Sequence, residues 1–144
     1  MTTKTLVPTE VHAQVQHFYA HQMQALDSLR FEDYAATFTE DGSFQHSPQA
    51  EPAVTRAGIV RELVEFHKRF DGDPVQRRHW FTHVALQPQP DGSYASTVYA
   101  LVVTTRPGGT PVIAPSCVVH DVLEVTDGEV LTRSRLVTHD QMFQ

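Results

Sequence analysis

QRRHWFTHVALQP, residues 76–88, is the first of four long apolar segments that fill the second half of the chain. Residues 93–105, 110–125 and 129–140 follow it, and the short sequences QPDG, RPGG and TDG separate them. Apolar and β-branched segments that alternate with Gly- and Pro-containing turns are typical of β-hairpins. The pattern predicts a four-stranded antiparallel meander.

The first half of the chain has helical periodicity instead. Apolar residues recur three or four positions apart from Val11 to Leu26, after a predicted N-cap at Thr9, which indicates a helix of about four turns. Asp27 and Ser28 interrupt this pattern, because their side chains compete for backbone hydrogen bonds. We therefore expect a bend near Asp27.

Three further elements are predicted before residue 76. A short helix begins at Phe31 and includes Phe38, residues 43–47 form one strand, and Thr55 caps a third helix. Helices that precede all the long strands indicate the α+β class, with the helices on one face of a curved antiparallel sheet. The 144 residues, 40% of them hydrophobic, suffice for one domain over residues 1–144.

Composition and charge argue against several classes of partner. The formal charge of −6 and the scattered Lys and Arg residues speak against nucleic-acid binding. The N-terminus lacks a signal-peptide core, and no apolar run approaches the roughly 20 residues of a membrane span. The single cysteine, Cys117, cannot form an intramolecular disulfide. We expect a soluble, cytoplasmic protein that does not bind membranes.

Several strands are apolar on both faces, although antiparallel sheets usually leave one face polar. In the second long segment the apolar residues are Val98, Ala100 and Val102 on one face and Tyr99, Leu101 and Val103 on the other. Three helices cannot cover both faces of such a sheet. We therefore expect the uncovered face to form a homodimer interface.

A few polar side chains fall in apolar rows and are candidates for chemistry. His79 shares a strand face with Phe81, and Asp121 lies in an apolar row, where an unpaired carboxylate would be costly. Tyr99 presents a hydroxyl on another strand, and His46 shares the face of the short early strand with Phe44. Each candidate also has a structural explanation: packing for His79 and Tyr99, a helix cap for Asp27, and an ion pair with Arg133 or Arg135 for Asp121.

The nine histidines do not form the pattern of a metal site. HxH and HExxH are absent, and His79 and His83 lie about 13 Å apart along one strand, too far for one ion. Nucleotide-binding loops and a nucleophile elbow are absent as well. We expect neither a metal nor a cofactor, a solvent-facing His67, and a Cys117 that packs in the core.

The order of these elements resembles the nuclear transport factor 2-like superfamily, and more narrowly its SnoaL-like group, which contains polyketide cyclases. The resemblance runs from about Val11 to Asp140 and is carried by ALDSLRFEDYAATFTEDGSF, RRHWFTHVAL, YALVVTTRPGGTPV, CVVHDVLEV and RSRLVTHD. It implies a single SnoaL-like domain that folds as a cone-shaped α+β barrel. In this fold a strongly curved sheet wraps on the long N-terminal helix and encloses an apolar pocket.

The chain is also similar to scytalone dehydratase, in which an aspartate on the first helical segment pairs with a histidine at the start of a long strand. The resemblance places Asp27 at the aspartate position and His79 at the histidine position. Two positions depart from the dehydratase pattern, since this chain has Tyr99 in place of a second histidine and His46 in place of a tyrosine. These exchanges keep groups that carry a proton but change their reach.

The resemblance implies a cofactor-independent dehydratase or cyclase that acts on a small, hydrophobic, oxygenated polyketide-type intermediate by general acid/base catalysis. His79 would be the base, oriented by Asp27, because a carboxylate on Nδ1 fixes the imidazole tautomer and leaves Nε2 free. Tyr99 and His46 would hold or protonate the reacting oxygen, and Asp121 would be a second acid. The expected pocket walls are Phe44, Trp80, Phe81, Leu101 and Val119.

Two other functions remain open for this fold. An isomerase or epoxide hydrolase would use a carboxylate such as Asp121 as its leading base. A ligand carrier, or a partner subunit like the small subunits of ring-hydroxylating oxygenases, would have no catalytic pair.

Overall fold

The computed structural model describes residues 6–142; residues 1–5, part of the segment considered for a signal peptide, and residues 143–144 lie outside that range. The first half of the chain comprises α1 (Thr9–Asp27), α2 (Phe31–Ala35), β1 (Phe38–Gln45), β2 (Ala53–Val54) and α3 (Thr55–His67). The second half comprises β3 (Gln76–Pro88), β4 (Tyr94–Thr105), β5 (Val112–Thr126) and β6 (Glu129–His139). Short 3₁₀ turns at Lys68–Phe70 and Asp140–Met142 follow α3 and β6.

All six strands belong to one sheet, in the order β2-β1-β6-β5-β4-β3. Strands β3 to β6 pair antiparallel with their neighbours in the chain, so the predicted meander is confirmed. The sheet is mixed, because β1 pairs parallel with β6. It is also open, with β2 and β3 as its edges. The α+β class and the nuclear transport factor 2-like cone are confirmed.

The sheet curves around α1. This helix contacts both β3 and β6, although β4 and β5 lie between those strands in the sheet. The pairings of β3 with β4, β4 with β5 and β5 with β6 each contain a register shift, and such bulges increase local twist and bending. The concave face that results holds the core and the main cavity.

The predicted bend near Asp27 is confirmed, and a Schellman motif produces it. Leu29 has a φ of 61°, which ends the helical path after Asp27. The Arg30 amide donates to the Ala25 carbonyl at 2.9 Å, and the Leu29 amide donates to the Leu26 carbonyl at 3.0 Å. These two bonds satisfy the last carbonyls of α1 and turn the chain into α2. Asp27 is thereby fixed at the end of a rigid helix.

Sequence reasoning was wrong about the start of α1 and of β1 but right about the start of α3. Thr9 is already helical, and the Pro8 carbonyl accepts the first amide, from Val11, at 3.0 Å. Phe38 belongs to β1 rather than to α2, because its backbone pairs with β6 and its side chain is fully buried. β1 is therefore longer than the strand predicted over residues 43–47. Thr55 does begin α3, and its hydroxyl accepts the Gly58 amide at 3.2 Å, as an N-cap does.

The core consists of two apolar clusters that meet at Phe81. One lies between α1 and the central strands and contains Val15, Tyr19, Val98, Val119 and Leu123. The other lies between the end of α1, α2, α3 and β1 and contains Met23, Leu26, Tyr34, Phe38, Ile59 and Leu63. Phe81 packs against both clusters.

A bulge in β3 decides which of its side chains face inward. The pairing of β3 with β4 shifts between Thr82 and Ala85, and His83 has a φ of 56°. Because the extra residue inverts the alternation, Phe81 and Val84 both pack against the core. Trp80 is 61% exposed on the outer face, so its predicted place in the pocket wall is wrong.

Within residues 6–142, no helix is both long enough and apolar enough to cross a membrane.

Candidate active site

A cavity of about 400 Å³ lies between the helices and the concave face of the sheet. Its walls are mainly apolar and include Met23, Leu26, Leu63, Phe66, Ala100, Val102 and Val137. Of the predicted pocket residues, Phe44, Phe81 and Val119 line it. The polar residues that line it are His46, Glu62, His67, Arg69, Arg77, His79, Thr104, Arg135 and His139, together with the hydroxyl-bearing Tyr34.

Asp27 and His79 form a tight pair at one end of this cavity. The distance from Asp27 Oδ1 to His79 Nδ1 is 2.6 Å. The backbone N–H of His79 also donates to the Asp27 carboxylate, at 3.1 Å to Oδ2. Because Nδ1 donates to the carboxylate, a neutral His79 has its lone pair on Nε2. The side chains of Asp27 and His79 are 7% and 15% exposed, so water competes little for the bond.

The pair lies between the cavity and an outer groove. A depression of about 540 Å³, formed by the end of α1, the end of α3 and the start of β3, has both Asp27 and His79 in its wall. His79 lines both the groove and the cavity, whereas Asp27 lines the groove and not the cavity. The imidazole therefore contacts the cavity and the carboxylate supports it from behind.

A second imidazole–carboxylate contact lies elsewhere on the cavity wall. His46 Nε2 is 3.0 Å from Glu62 Oε1, and both side chains are about two-fifths exposed. The carbonyl of His46 accepts the Nε2–H of His139 at 2.8 Å, and His139 Nδ1 is 3.5 Å from Cys117 Sγ. His46 thus lies in the cavity as predicted. Sequence reasoning missed Glu62 and His139, because neither stands in an apolar row.

Asp121 does not line either space, and the expectation that it faces the pocket is wrong. It is 3% exposed and binds Arg135 through both oxygens, at 2.9 Å to Nε and 2.7 Å to Nη2. Tyr19 donates to the same carboxylate at 2.8 Å. Arg135 is the partner that the sequence offered as one alternative, whereas Arg133 binds Glu124 and Asp91.

Arg135 has further partners inside the protein. Its Nη2 donates to Gln22 Oε1 at 2.6 Å, and its Nη1 donates to Tyr34 Oη at 2.9 Å. Burial by itself would lower the pKa of Arg135, but the Asp121 carboxylate outweighs it and the net shift of that pKa is upward. Burial also raises the pKa of Tyr34, against the opposing effect of Arg135, so this phenol keeps its proton.

Tyr99 lies on the outer face of the sheet, and its predicted place in the pocket is wrong. The side chain is 57% exposed, and its ring centroid is 5.7 Å from that of His83. In β4 the even-numbered residues point inward, so Ala100 and Val102 are buried. Leu101 points outward with Tyr99, and so it does not line the cavity either. The two faces of β4 are almost equally apolar, which left the sequence without a signal for the inner one.

His67 lines the cavity, which corrects the prediction that it faces solvent. Its Nδ1–H donates to the Leu63 carbonyl at 2.8 Å, and its ring packs near Phe31 and Phe66. Burial lowers its pKa, and the positive charge of Arg77 adds to this effect. The lowered pKa favours the neutral form of the His67 ring.

Cys117 lies in the cavity wall but is a weak nucleophile. Burial is the main cause that raises the pKa of its thiol, to about 11, and Asp140 adds to it. Among residues 6–142, no group of three or more His, Cys, Asp or Glu side chains is placed to hold a metal ion.

Comparison with known proteins identifies the family. Residues 8–135 match the SnoaL-like domain family. ActVI-ORFA from Streptomyces coelicolor is 54% identical, with a TM-score of 0.88 over 95% of this chain and 100% of that one. A protein from Catenulispora acidiphila, solved in complex with S-DNPA, is 49% identical, with a TM-score of 0.83 over 93% and 96% of the two chains.

A structure with lower sequence identity has a similar fold. Aln2 from a Streptomyces species is 30% identical, with a TM-score of 0.86 over 96% of each chain. A comparison with curated protein sequences finds no match. The fold, the matched length and the identities lead to one conclusion: the chain belongs to the SnoaL-like domain family.

Proposed function

We propose that the chain is a cofactor-independent enzyme that dehydrates or cyclises a hydrophobic, oxygenated polyketide-type intermediate. Members of the SnoaL-like family often catalyse polyketide cyclase or dehydratase reactions. The observation that carries the proposal is the 2.6 Å contact between Asp27 Oδ1 and His79 Nδ1, with His79 on the wall of an apolar cavity. A positioned imidazole of this kind is a general base.

In this mechanism His79 Nε2 removes a proton from the substrate, and Asp27 is a positioning residue. The carboxylate accepts the Nδ1–H and offsets the positive charge that develops on the ring. It also accepts the backbone N–H of His79, so the side chain and the strand that presents it are held by the same group. Asp27 is the last residue of α1, and the Schellman motif that follows it limits how far the pair can move.

His46 is the candidate for the acid that protonates the departing or attacking oxygen. It follows β1, next to one edge of the sheet, whereas His79 lies on β3 at the other edge, and curvature places both on one cavity. The Glu62 carboxylate accepts from Nε2 and holds the ring at the cavity wall. Tyr99 cannot share this role from the outer face.

The cavity suits a small aromatic or polycyclic substrate. Its volume of about 400 Å³ lies within the range of small-molecule sites, and phenylalanines at positions 44, 66, 70 and 81 provide flat apolar surface. The Catenulispora acidiphila relative binds S-DNPA, which makes that compound a suitable first ligand for this chain.

The test compares His79→Ala with the wild-type protein on a panel of hydrophobic polyketide-type hydroxyketones and diketones. Water loss or ring closure is followed by mass spectrometry, and S-DNPA binding by calorimetry confirms that the cavity is intact. We expect kcat/KM to fall roughly 10²- to 10⁴-fold. His21→Ala is the control, because His21 is exposed on α1 away from the cavity. Unchanged turnover in His79→Ala would reject the proposal.

The alternatives give different outcomes in the same test. An isomerase or epoxide hydrolase with Asp121 as base is disfavoured, because that carboxylate is bound by Arg135 and Tyr19. A ligand carrier or an oxygenase partner subunit would bind S-DNPA without converting any compound of the panel.

A further inference from the structure

We propose that Tyr34 and Arg135 form an oxyanion-binding site in the cavity, which holds the carbonyl oxygen of the substrate when His79 removes the neighbouring proton. The inference rests on the proposed function and deepens it: it names a second pair of reacting groups and requires a carbonyl in the substrate. Neither residue stood out in the sequence as a site residue.

Counting donors identifies the pair. A guanidinium has five N–H groups, and the contacts of Arg135 with Asp121, Gln22 and Tyr34 use four of them. The unused hydrogen is on Nη1, whose one partner among residues 6–142 is the Tyr34 hydroxyl. That hydroxyl accepts from Arg135, and within the same range its own hydrogen has no acceptor.

The two atoms that carry the unused hydrogens are adjacent, and both belong to residues of the cavity wall. Arg135 Nη1 and Tyr34 Oη are 2.9 Å apart, and both residues line the cavity while being almost fully buried. One substrate oxygen can therefore accept from both atoms. Two converging donors in a site with little water are the arrangement that stabilises a developing oxyanion.

Phe81 connects this pair with His79. The Arg135 Cζ atom is 5.2 Å from the centroid of the Phe81 ring, and Phe81 lies two residues from His79 on the same face of β3. A flat substrate that packs on Phe81 thus has a base at one end and two hydrogen-bond donors at the other. Asp121 balances the charge of Arg135 from the side away from the cavity.

The chemical step follows from this placement. His79 Nε2 takes the proton from the carbon next to the carbonyl, and the C–H electron pair moves into the carbonyl to give an enolate. Tyr34 O–H and Arg135 N–H donate to the enolate oxygen. When the carbonyl re-forms, the hydroxyl on the β-carbon leaves with a proton from His46, and the products are an enone and water.

The first test uses the wild-type protein and a cyano-substituted 2-naphthol, whose ionised form has its own absorption band. We expect the bound naphthol to ionise at a pH well below the value at which it ionises in water, because the two donors favour the naphtholate. A spectrum of bound neutral naphthol, or no binding, would overturn the proposal. This measurement does not depend on any variant folding.

The second test removes one donor. Tyr34→Phe keeps the ring but loses the hydroxyl, and we expect it to weaken naphtholate binding roughly tenfold to a hundredfold. Tyr19→Phe is the matched control, because its hydroxyl is equally buried in the same network but does not line the cavity. It should change naphtholate binding less than threefold. Equal binding by the two variants would place the anion elsewhere and overturn the proposal.

The two proposals can fail separately. If His79→Ala loses turnover while Tyr34→Phe binds naphtholate normally, the base assignment stands and the oxyanion site is rejected. If Tyr34→Phe weakens binding while His79→Ala keeps its turnover, the oxyanion site stands as a binding site and the proposed mechanism is rejected.

Discussion

At the scale of single residues, two buried carboxylates of this protein do different work. Asp27 holds an imidazole that lines the cavity, with part of the pair still exposed. Asp121 holds a guanidinium, and both side chains are at most 2% exposed. The first pair can exchange a proton with a ligand, whereas in the second pair Asp121 holds the Arg135 donor in the cavity wall.

Asp121→Asn should therefore act on stability. Removing one charge of a buried pair leaves Arg135 uncompensated, and we expect the free energy of unfolding to fall by roughly 3–5 kcal/mol. Urea denaturation followed by circular dichroism measures this. Asp73→Asn is the control, since Asp73 forms an exposed pair with Arg106 and should matter little. An Asp121→Asn variant that is as stable as the wild-type protein would contradict this expectation.

Cys117 should be slow to alkylate at neutral pH. Its thiol has a pKa of about 11, whereas an ordinary cysteine has one near 8.5, so far less thiolate is present at pH 8. The iodoacetamide reaction of the folded protein at pH 8 should be roughly two hundredfold slower than that of the urea-unfolded chain. Because the folded pKa is raised, this protection should decrease as the pH rises toward 11. Equal rates in the two states would contradict the burial of the thiol.

At the scale of elements, the end of α1 is the feature that positions the base pair. Leu29 occupies the position of the Schellman motif where glycine is usual, and its side chain is 61% exposed. Packing of the exposed leucine side chain therefore does not offset the energetic cost of the positive φ at Leu29. The geometry, rather than the leucine side chain, is what the site requires.

Leu29→Gly should consequently stabilise the protein. A left-handed conformation costs a non-glycine residue roughly 1–2 kcal/mol, and glycine avoids this cost. About half of the resulting gain in stability is lost, because glycine has greater conformational freedom in the unfolded chain. We expect the free energy of unfolding to rise by roughly 0.5–1 kcal/mol in urea titrations. Leu29→Ala keeps a Cβ atom and should show no such gain. A destabilised Leu29→Gly would mean that the leucine side chain contributes to the fold.

The sequence predicted the elements better than the faces they present. Turn sequences marked the meander correctly, and the polar interruption at Asp27 located the bend. The sequence predicted the pairing of Asp27 with His79, because an aspartate on the first helical segment and a histidine at the start of a long strand match the family pattern. Tyr99 and Leu101 were misplaced because both faces of β4 are apolar, and Trp80 pairs with Leu101 on the same outer face.

Other site residues left no signal in the sequence at all. Glu62 and Tyr34 lie on helices whose patterns predict only an amphipathic face, and the parallel pairing of β1 with β6 places them near strands far along the chain. Arg135 was visible only as a partner for Asp121. Such contacts depend on the curvature of the whole sheet, which local patterns do not encode.

At the scale of the whole molecule, the outer face of the sheet carries several exposed apolar side chains. Trp80, Tyr99 and Ile113 are each more than half exposed. Helices cover the other face. The expectation of a homodimer through this surface therefore stays a prediction.

Light scattering at micromolar concentration should give about twice the 16.2 kDa mass of one chain. Trp80→Glu should shift the mass toward that of a monomer, because it places a charge in the proposed interface. Val64→Glu is the control, since Val64 is an exposed apolar residue on α3, away from the sheet's outer face. A wild-type protein with the mass of one chain would contradict the prediction.

The most direct test of the central claim, that Asp27 acts through His79, is the kcat/KM of the double variant Asp27→Asn/His79→Ala. It is measured on the first compound of the panel that the wild-type protein converts, beside the two single variants. Residues that act as one unit have strongly non-additive effects. We predict that Asp27→Asn alone slows the reaction at least tenfold, and that the double variant is no slower than His79→Ala within about threefold. Losses that multiply in the double variant would show that the two residues act independently and would contradict the account.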